Sequence, residues 1–109
     1  MSSHLKSRLQ SDLNQARKAR EKLRTLVLST TLSELRNLEI DEGQDADDSQ
    51  VLSVITKAVK RRKESATQMR AGGREELAAK EESEAEMLAV YLPESLSEDD
   101  VRNIIQEIL

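Results

Sequence analysis

The chain contains no cysteine, so disulfides, thiolate metal sites and cysteine nucleophiles are excluded at the outset. Phenylalanine and tryptophan are also missing, and Tyr91 is the whole aromatic complement. β-Sandwiches and barrels build their strands from aromatic and β-branched residues, so that class is disfavoured. The single histidine, His4, sits at a terminus expected to fray and reads as a solvated bystander, neither base nor ligand. No apolar run approaches the ~20 residues of a membrane span. The stretch from Met1 to Lys6 has no apolar core of a signal peptide, and the expected location is cytoplasmic.

Other chemistry is absent by pattern. Helix bundles that hold metals use Glu-x-x-His pairs, and Glu81, Glu82, Glu84 and Glu86 have no such partner. Gly72-Gly73 is not followed by the Lys-Ser/Thr of a phosphate loop, and there is no dinucleotide fingerprint. A catalytic nucleophile needs a base within reach, and none is offered. No catalytic residue, metal ligand or cofactor is therefore assigned. The net charge of −4 argues against dominant nonspecific attraction to nucleic acid or anionic lipid.

What the sequence does hold is helical. Charged residues make up 35% of it, against about 25% in an average domain, and the mix of Leu, Ala, Glu, Lys and Arg is that of helical proteins. A chain of 109 residues fits one domain that buries about 65% of its unfolded surface, enough for a thin core. Leu5, Leu9, Leu13 and Ala16 make a stripe at helical spacing, with the helix starting after Ser2 or Ser3. A second helix carries Leu23, Leu26, Val27, Leu28, Leu32, Leu35 and Leu38. These cover more than one face, which predicts the central, most buried helix. A break is placed near Lys18 to Arg20, although no Gly, Pro or Asn marks it.

Asp41-Glu42-Gly43 ends the second helix. Asp47 and Gln50 then have capping-box spacing before a third helix with Val51, Val54, Ile55, Ala58, Val59, Ala66 and Met69. Gly72-Gly73 stops it, because glycine tolerates the left-handed position past a helix end. A fourth helix is predicted from about Arg74 to Tyr91, with Leu77, Ala78, Ala85, Leu88 and Tyr91 on its apolar side and Pro93 ending it. Ser97 would cap a fifth, with Asp100 as a weaker box partner. Val101, Ile104, Ile105, Ile108 and Leu109 fall on one face of it. Burying about five such side chains is worth roughly 1.5–3 kcal/mol each, so the stripe demands cover. The expectation is a truncated chain whose next helices supply it; a tail docked on the first four helices or on a partner is the alternative.

Charge is segregated. Arg17, Lys18, Arg20, Lys22 and Arg24 make a basic stretch, Lys57 to Lys63 is basic again, and from Glu75 to Asp100 Lys80 is the only cation. Within the second basic run, Lys60 and Lys63 share a face. Arg62 continues the apolar register of Val51, Ile55 and Val59, so it is expected to turn inward and pair with a carboxylate such as Glu81 or Glu84. The remaining cations are open to two readings, a solvated face or contact with phosphates, the latter without an aromatic platform for bases.

Three stretches resemble the YqeY-like (GatB/YqeY domain) family. They are Ala19-Arg20-Glu21-Lys22-Leu23-Arg24, then Lys60-Arg61-Arg62-Lys63-Glu64-Ser65 with Ala71-Gly72-Gly73-Arg74-Glu75-Glu76-Leu77, and finally Lys80-Glu81-Glu82 with Glu84, Tyr91-Leu92-Pro93 and Leu96-Ser97. Order and spacing match along essentially the whole chain. Met69 departs from the pattern, standing where the family often has an aromatic. The resemblance implies an all-α protein: an N-terminal helical subdomain over residues 1–92, a bundle of about four helices, then at 93–109 a hinge and the first helix of a small C-terminal subdomain. Arg62, Gly72, Gly73, Arg74, Glu81, Glu84, Tyr91, Leu92 and Pro93 are its motif positions.

The family is similar to the C-terminal tail of the GatB component of the glutamyl/aspartyl-tRNA amidotransferase, a module associated with holding tRNA. Its members tend to be labelled carbon–nitrogen ligases with glutamine as amido donor, chemistry for which this chain has no residues. The implied function is a tRNA- or partner-binding module, touching backbone phosphates through Lys60, Arg61, Lys63, Arg20 and Lys22. The implied partners are tRNA or an amidotransferase-type complex. The competing reading is a protein–protein adaptor with no RNA binding, using the acidic fourth helix or Val101, Ile104, Ile105 and Ile108.

Overall fold

Ser3 begins the first helix by accepting the Lys6 N–H at 3.0 Å, which satisfies one of the free amides at the helix start. The structure is a computed structural model that describes residues 3–93. Among these it contains four helices and no strand: α1 (His4–Lys18), α2 (Lys22–Glu42), α3 (Asp48–Ala71) and α4 (Glu75–Ala89). The fifth helix and its apolar face lie outside the described residues.

Two antiparallel hairpins result. In the first, Lys6 near the start of α1 reaches Glu39 near the end of α2 at 2.7 Å, and Leu9, Leu13 and Ala16 bury against Val27, Leu28 and Leu35 in one core. In the second, Arg62 of α3 meets Glu84 of α4. The interface there is rich in alanine, with Ala58, Ala66, Ala78 and Ala85 buried, and small side chains let helix axes come close. Both capping predictions for α3 hold. Asp47 accepts the Gln50 N–H while the Gln50 side chain accepts the Asp47 N–H. At the other end Gly73, at φ +78°, donates to Arg70 while the Arg74 N–H reaches Met69, a Schellman closure.

Polar ties join the hairpins. Ser3 donates to the Asp48 carboxylate, which also accepts the Leu5 N–H, so the first residue of α3 holds the start of α1. Glu39 takes both Lys6 and the Ala46 N–H. These partners hold its carboxyl below the usual range, with burial opposing them. At the far end of α4, Tyr91 is buried. Its hydroxyl donates to Asp12 of α1 at 2.5 Å, the Arg8 guanidinium lies 4.8 Å over its ring, and Arg24 of α2 is 4.0 Å from the same Asp12. Among the described residues no buried side-chain nitrogen or oxygen lacks a hydrogen bond.

Several sequence expectations are corrected. α2 touches all three other helices, but it is not buried all round: only Val27, Leu28, Thr31 and Leu35 are buried, while Leu26 is 58% and Ile40 70% exposed. Three neighbours do not enclose it. Leu77 is also exposed, although it shares a face with Leu88. No residue between Ala66 and Ala78 is buried, so the outer part of the α3–α4 hairpin stands clear of the bundle and Leu77 has nothing to pack on. Finally α4 ends at Ala89, two residues short of Tyr91, which sits in a turn closed by bonds to Leu88 and Ala89.

These contacts make the fold sensitive to alkali and to loss of a charge partner. Burial, then hydrogen bonding to Asp12, pushes the Tyr91 pKa from 10.0 up to about 12. The neutral phenol is the favoured form, so its stabilising effect is complete below pH 10 and is lost as the pH rises to about 12. Tyr91 is the only tyrosine, so tyrosinate absorbance reads its titration directly. Urea denaturation across that window should show a steeper loss of stability in wild type than in Tyr91→Phe. Separately, Arg62→Met strands the Glu84 carboxylate, whose side chain is 12% exposed, at a cost of about 3 kcal/mol. The double variant Arg62→Met/Glu84→Leu should recover most of that loss in the same urea assay.

Candidate functional site

The bonding of the cations separates structural groups from available ones. Lys6 is bound to Glu39, Arg24 to Glu21 and Asp12, Arg61 to Glu34, Arg62 to Glu84, and Arg70 to Glu75 and Glu82. Arg70 and Glu82 stabilise each other's charged forms, with the Arg70 pKa raised and the Glu82 pKa lowered. Arg8 is engaged with Tyr91. In contrast, Arg17, Lys18, Arg20 and Lys22 make no ion pair or side-chain hydrogen bond among the described residues and are all exposed. Four unpaired cations within six residues of chain surround the turn from α1 to α2.

That turn breaks several local rules at once. The chain must reverse here because the α1 stripe has to face α2, yet no glycine is available. Arg20 takes the left-handed position itself, at φ 59°. The Arg20 N–H donates to Arg17 and the Glu21 N–H to Ala16, the same Schellman closure that Gly73 makes elsewhere. A left-handed non-glycine residue costs about 1–2 kcal/mol. Next, α2 begins with no side-chain cap and no acid in its first turn, placing Lys22 at the positive end of a helix dipole. Leu26 then stands in water one turn on. Arg17 and Lys18 have an ordinary explanation, since cations suit the last turn of α1. Arg20 serves the reversal at a cost that glycine would not carry, Leu26 is left in water because three neighbours do not enclose α2, and Lys22 has no explanation from folding.

Together Arg17, Arg20, Lys22, Thr25, Leu26 and Ser29 line an open cleft of about 480 Å³. A second cleft lies between α2 and α3, lined by Glu34, Asn37, Leu38, Asp41, Val54, Lys57 and Arg61. The α2 residues of the two clefts are about a third of a turn apart round the helix and roughly 18 Å apart along it at 1.5 Å per residue. The five phosphate-binding candidates therefore divide. Arg20 and Lys22 line the corner cleft, while Arg61 lines the other, its charge held by Glu34 at 2.8 Å. Lys60 is exposed and Lys63 half-buried on α3. The sequence reading missed Arg17, Thr25, Leu26 and Ser29 as neighbours of the site. For Arg17 the signal was its place three residues before Arg20.

Several of the motif positions have structural partners, while Arg74 is exposed at the uncapped start of α4. Arg62 is buried, with Nε 3.4 Å from Glu84 and a terminal nitrogen 3.1 Å from the Ala58 carbonyl. Gly72 and Gly73 close α3, and Tyr91 docks α4 on α1. Glu81 is half-buried, and Leu92 packs partly on the core, next to the exposed Pro93. Among the described residues no three His, Asp or Glu side chains gather as metal ligands, and no helix is long and apolar enough to cross a membrane.

The sequence model of the family described as "Yqey-like protein" matches residues 6–109. Among curated proteins, the chain is similar to "Altered inheritance of mitochondria protein 41, mitochondrial" from Saccharomyces cerevisiae (strain YJM789), with 31% identity over 107 residues, covering 94% of this chain and 57% of that protein. The proteins of the same name from Vanderwaltozyma polyspora and Lachancea thermotolerans are 33% and 34% identical over 85 residues, covering 77% of this chain and 46% of each. The chain thus spans about half the length of the curated relatives it matches.

If Arg20 serves a ligand rather than the turn, folding should improve without it. Arg20→Gly removes the left-handed strain at a smaller cost in unfolded-state entropy. It is expected to raise stability by about 0.5–1 kcal/mol, seen as a higher urea midpoint with an unchanged slope.

Proposed function

This chain belongs to the YqeY-like family, and from that premise we propose that it is a tRNA-binding helical module with no chemistry of its own. The observation that carries the reading is the concentration of unpaired cations at the α1–α2 turn. Arg17, Lys18, Arg20 and Lys22 stand exposed there without a carboxylate partner, on a protein whose net charge is −4. Uncompensated cations gathered at one corner present a local attractive field to an anion even on an acidic molecule. Binding through this corner is correspondingly oriented.

The exposed Lys60 extends the basic surface of α3 in the same reading, while Arg61 contributes less because Glu34 compensates it. The family's ligase label, with glutamine as amido donor, then describes the company the module keeps: an amidotransferase-type assembly that holds tRNA while other subunits do the chemistry. The compartment proposed is one in which tRNA is charged, the cytoplasm or the mitochondrial interior. The fungal relatives are by name mitochondrial proteins. A second reading, an adaptor for a protein partner, draws on the bare end of the α3–α4 hairpin, where Leu77 is 43% exposed. It predicts co-purifying protein and indifference to RNA.

Filter binding of the full chain to bulk tRNA tests the proposal. Engaging three or four phosphates predicts a log–log salt dependence of affinity with a slope of about −2 to −4. The combined variant Arg17→Ala/Arg20→Gly/Lys22→Ala should bring both affinity and slope close to zero. Failure of the wild-type chain to retain tRNA at low salt, or a triple variant that binds equally well, would overturn the reading.

A further inference from the structure

We propose that the corner cleft accepts one unpaired nucleotide of a single-stranded RNA stretch, its base against Leu26 and its flanking phosphates on Arg17, Arg20 and Lys22. This rests on the RNA-binding reading above and specifies its ligand.

The cleft is open and shallow, with about 480 Å³ of space over its lining residues, so a ligand lies on it rather than inside it, and what singles out a nucleotide is the chemistry of the lining. Its cations are set round an apolar residue: Leu26 lies among them with 58% of its surface in water. An RNA duplex offers phosphates, ribose hydroxyls and base edges, but its base faces are stacked inside. Only an unpaired base can lay an apolar face on Leu26 while its backbone reaches the rim.

The hydroxyls of the cleft point the same way. Thr31, Thr56 and Thr67 each donate their hydroxyl to a carbonyl of their own helix. Thr25 and Ser29, which line the cleft, form no side-chain hydrogen bond among the described residues. A hydroxyl both donates and accepts, so this pair can meet a base edge or a ribose 2′-hydroxyl. An acidic peptide is the other anion that could be imagined here. An arginine cluster can also hold such a peptide, but an acidic side chain has no flat apolar face for Leu26 and no 2′-hydroxyl for Thr25 and Ser29, and the displacement arm of the test separates the two. The guanidiniums of Arg17 and Arg20 suit phosphate oxygens, which they can grip in a two-pronged manner.

The test is fluorescence anisotropy with the full chain at low salt, using a short unstructured RNA strand, a blunt duplex of the same sequence and bulk tRNA. The single strand is expected to bind about tenfold more tightly than the duplex. Leu26→Ser should weaken the single strand by about three- to tenfold, the scale of one or two buried methylenes lost from an apolar contact, and leave duplex affinity within about twofold. Arg20→Gly, which keeps the turn, should weaken the single strand while circular dichroism shows an intact fold. The assignment is overturned if the duplex matches the single strand, if Leu26→Ser changes nothing, or if an acidic peptide displaces tRNA where the single strand does not. In each of those cases tRNA still binds and the broader RNA reading survives. If no RNA binds, both fall together.

Discussion

The fold depends most on the meeting of Tyr91, Asp12, Arg8 and Arg24. Residues from α1, α2 and the segment after α4 converge on one phenol, the only aromatic side chain in the chain. No Cα of α1 comes near one of α4, so Tyr91 is what ties the end of the second hairpin directly to α1, while α4 otherwise reaches the first hairpin through α2. The arrangement works because each group satisfies another. The ring fills core volume, its hydroxyl gives Asp12 a donor, Arg24 balances the charge of Asp12, and Arg8 covers the ring face. Cation–π contact and a hydrogen bond to a charged acceptor are each worth about 0.5–3 kcal/mol. In a domain with a core this thin, such terms are a sizeable part of a net stability of about 5–15 kcal/mol.

The same scarcity of large side chains shapes the second hairpin. Alanines line the contact between α3 and α4, so the helices approach closely but bury little area per residue. The outer portion then relies on a left-handed glycine and on Arg70 shared between Glu75 and Glu82, while the packed portion holds the Arg62–Glu84 pair. A buried ion pair adds little net stability but penalises every register that separates its members. Arg62 and Glu84 therefore act chiefly to fix how α4 slides along α3. That register in turn sets where Tyr91 arrives on α1.

Much of this was legible in the sequence because the signals are local. The capping box at Asp47 and Gln50, the glycine stop at Gly72-Gly73 and the inward register of Arg62 each depend on spacing within a few residues. What stayed hidden depends on partners distant in the chain. The pattern gives α2 apolar residues on several faces, but only the packed structure decides that Leu26 and Ile40 find no neighbour. Leu77 has the register of a core residue and lacks a core at its end of the hairpin. The pairing of Arg61 with Glu34 joins residues 27 apart, so beyond the inward-turning Arg62 the run holds a second neutralised cation that its spacing does not reveal. The left-handed Arg20 was the least legible feature, since nothing in its neighbours announces a turn. The chain bends there because two apolar stripes must meet, a tertiary demand that overrides local propensity.

The starts of α2 and α4 both lack a side-chain cap, but among the described residues only the α1–α2 corner also puts a residue other than glycine in the left-handed region. Where α2 and α3 finish, glycine takes the left-handed position; where α1 and α3 begin, Ser3 and Asp47 supply caps. At the corner, by contrast, the left-handed residue is an arginine, the following helix is uncapped, its first turn carries a lysine, and a leucine is left in water. Sequences that fold well are consistent across levels, and their departures gather at functional sites. Each departure here places a cation or an apolar surface in one cleft. Relieving any of them would favour folding, so their coincidence is better explained by what the cleft meets than by what the helices need.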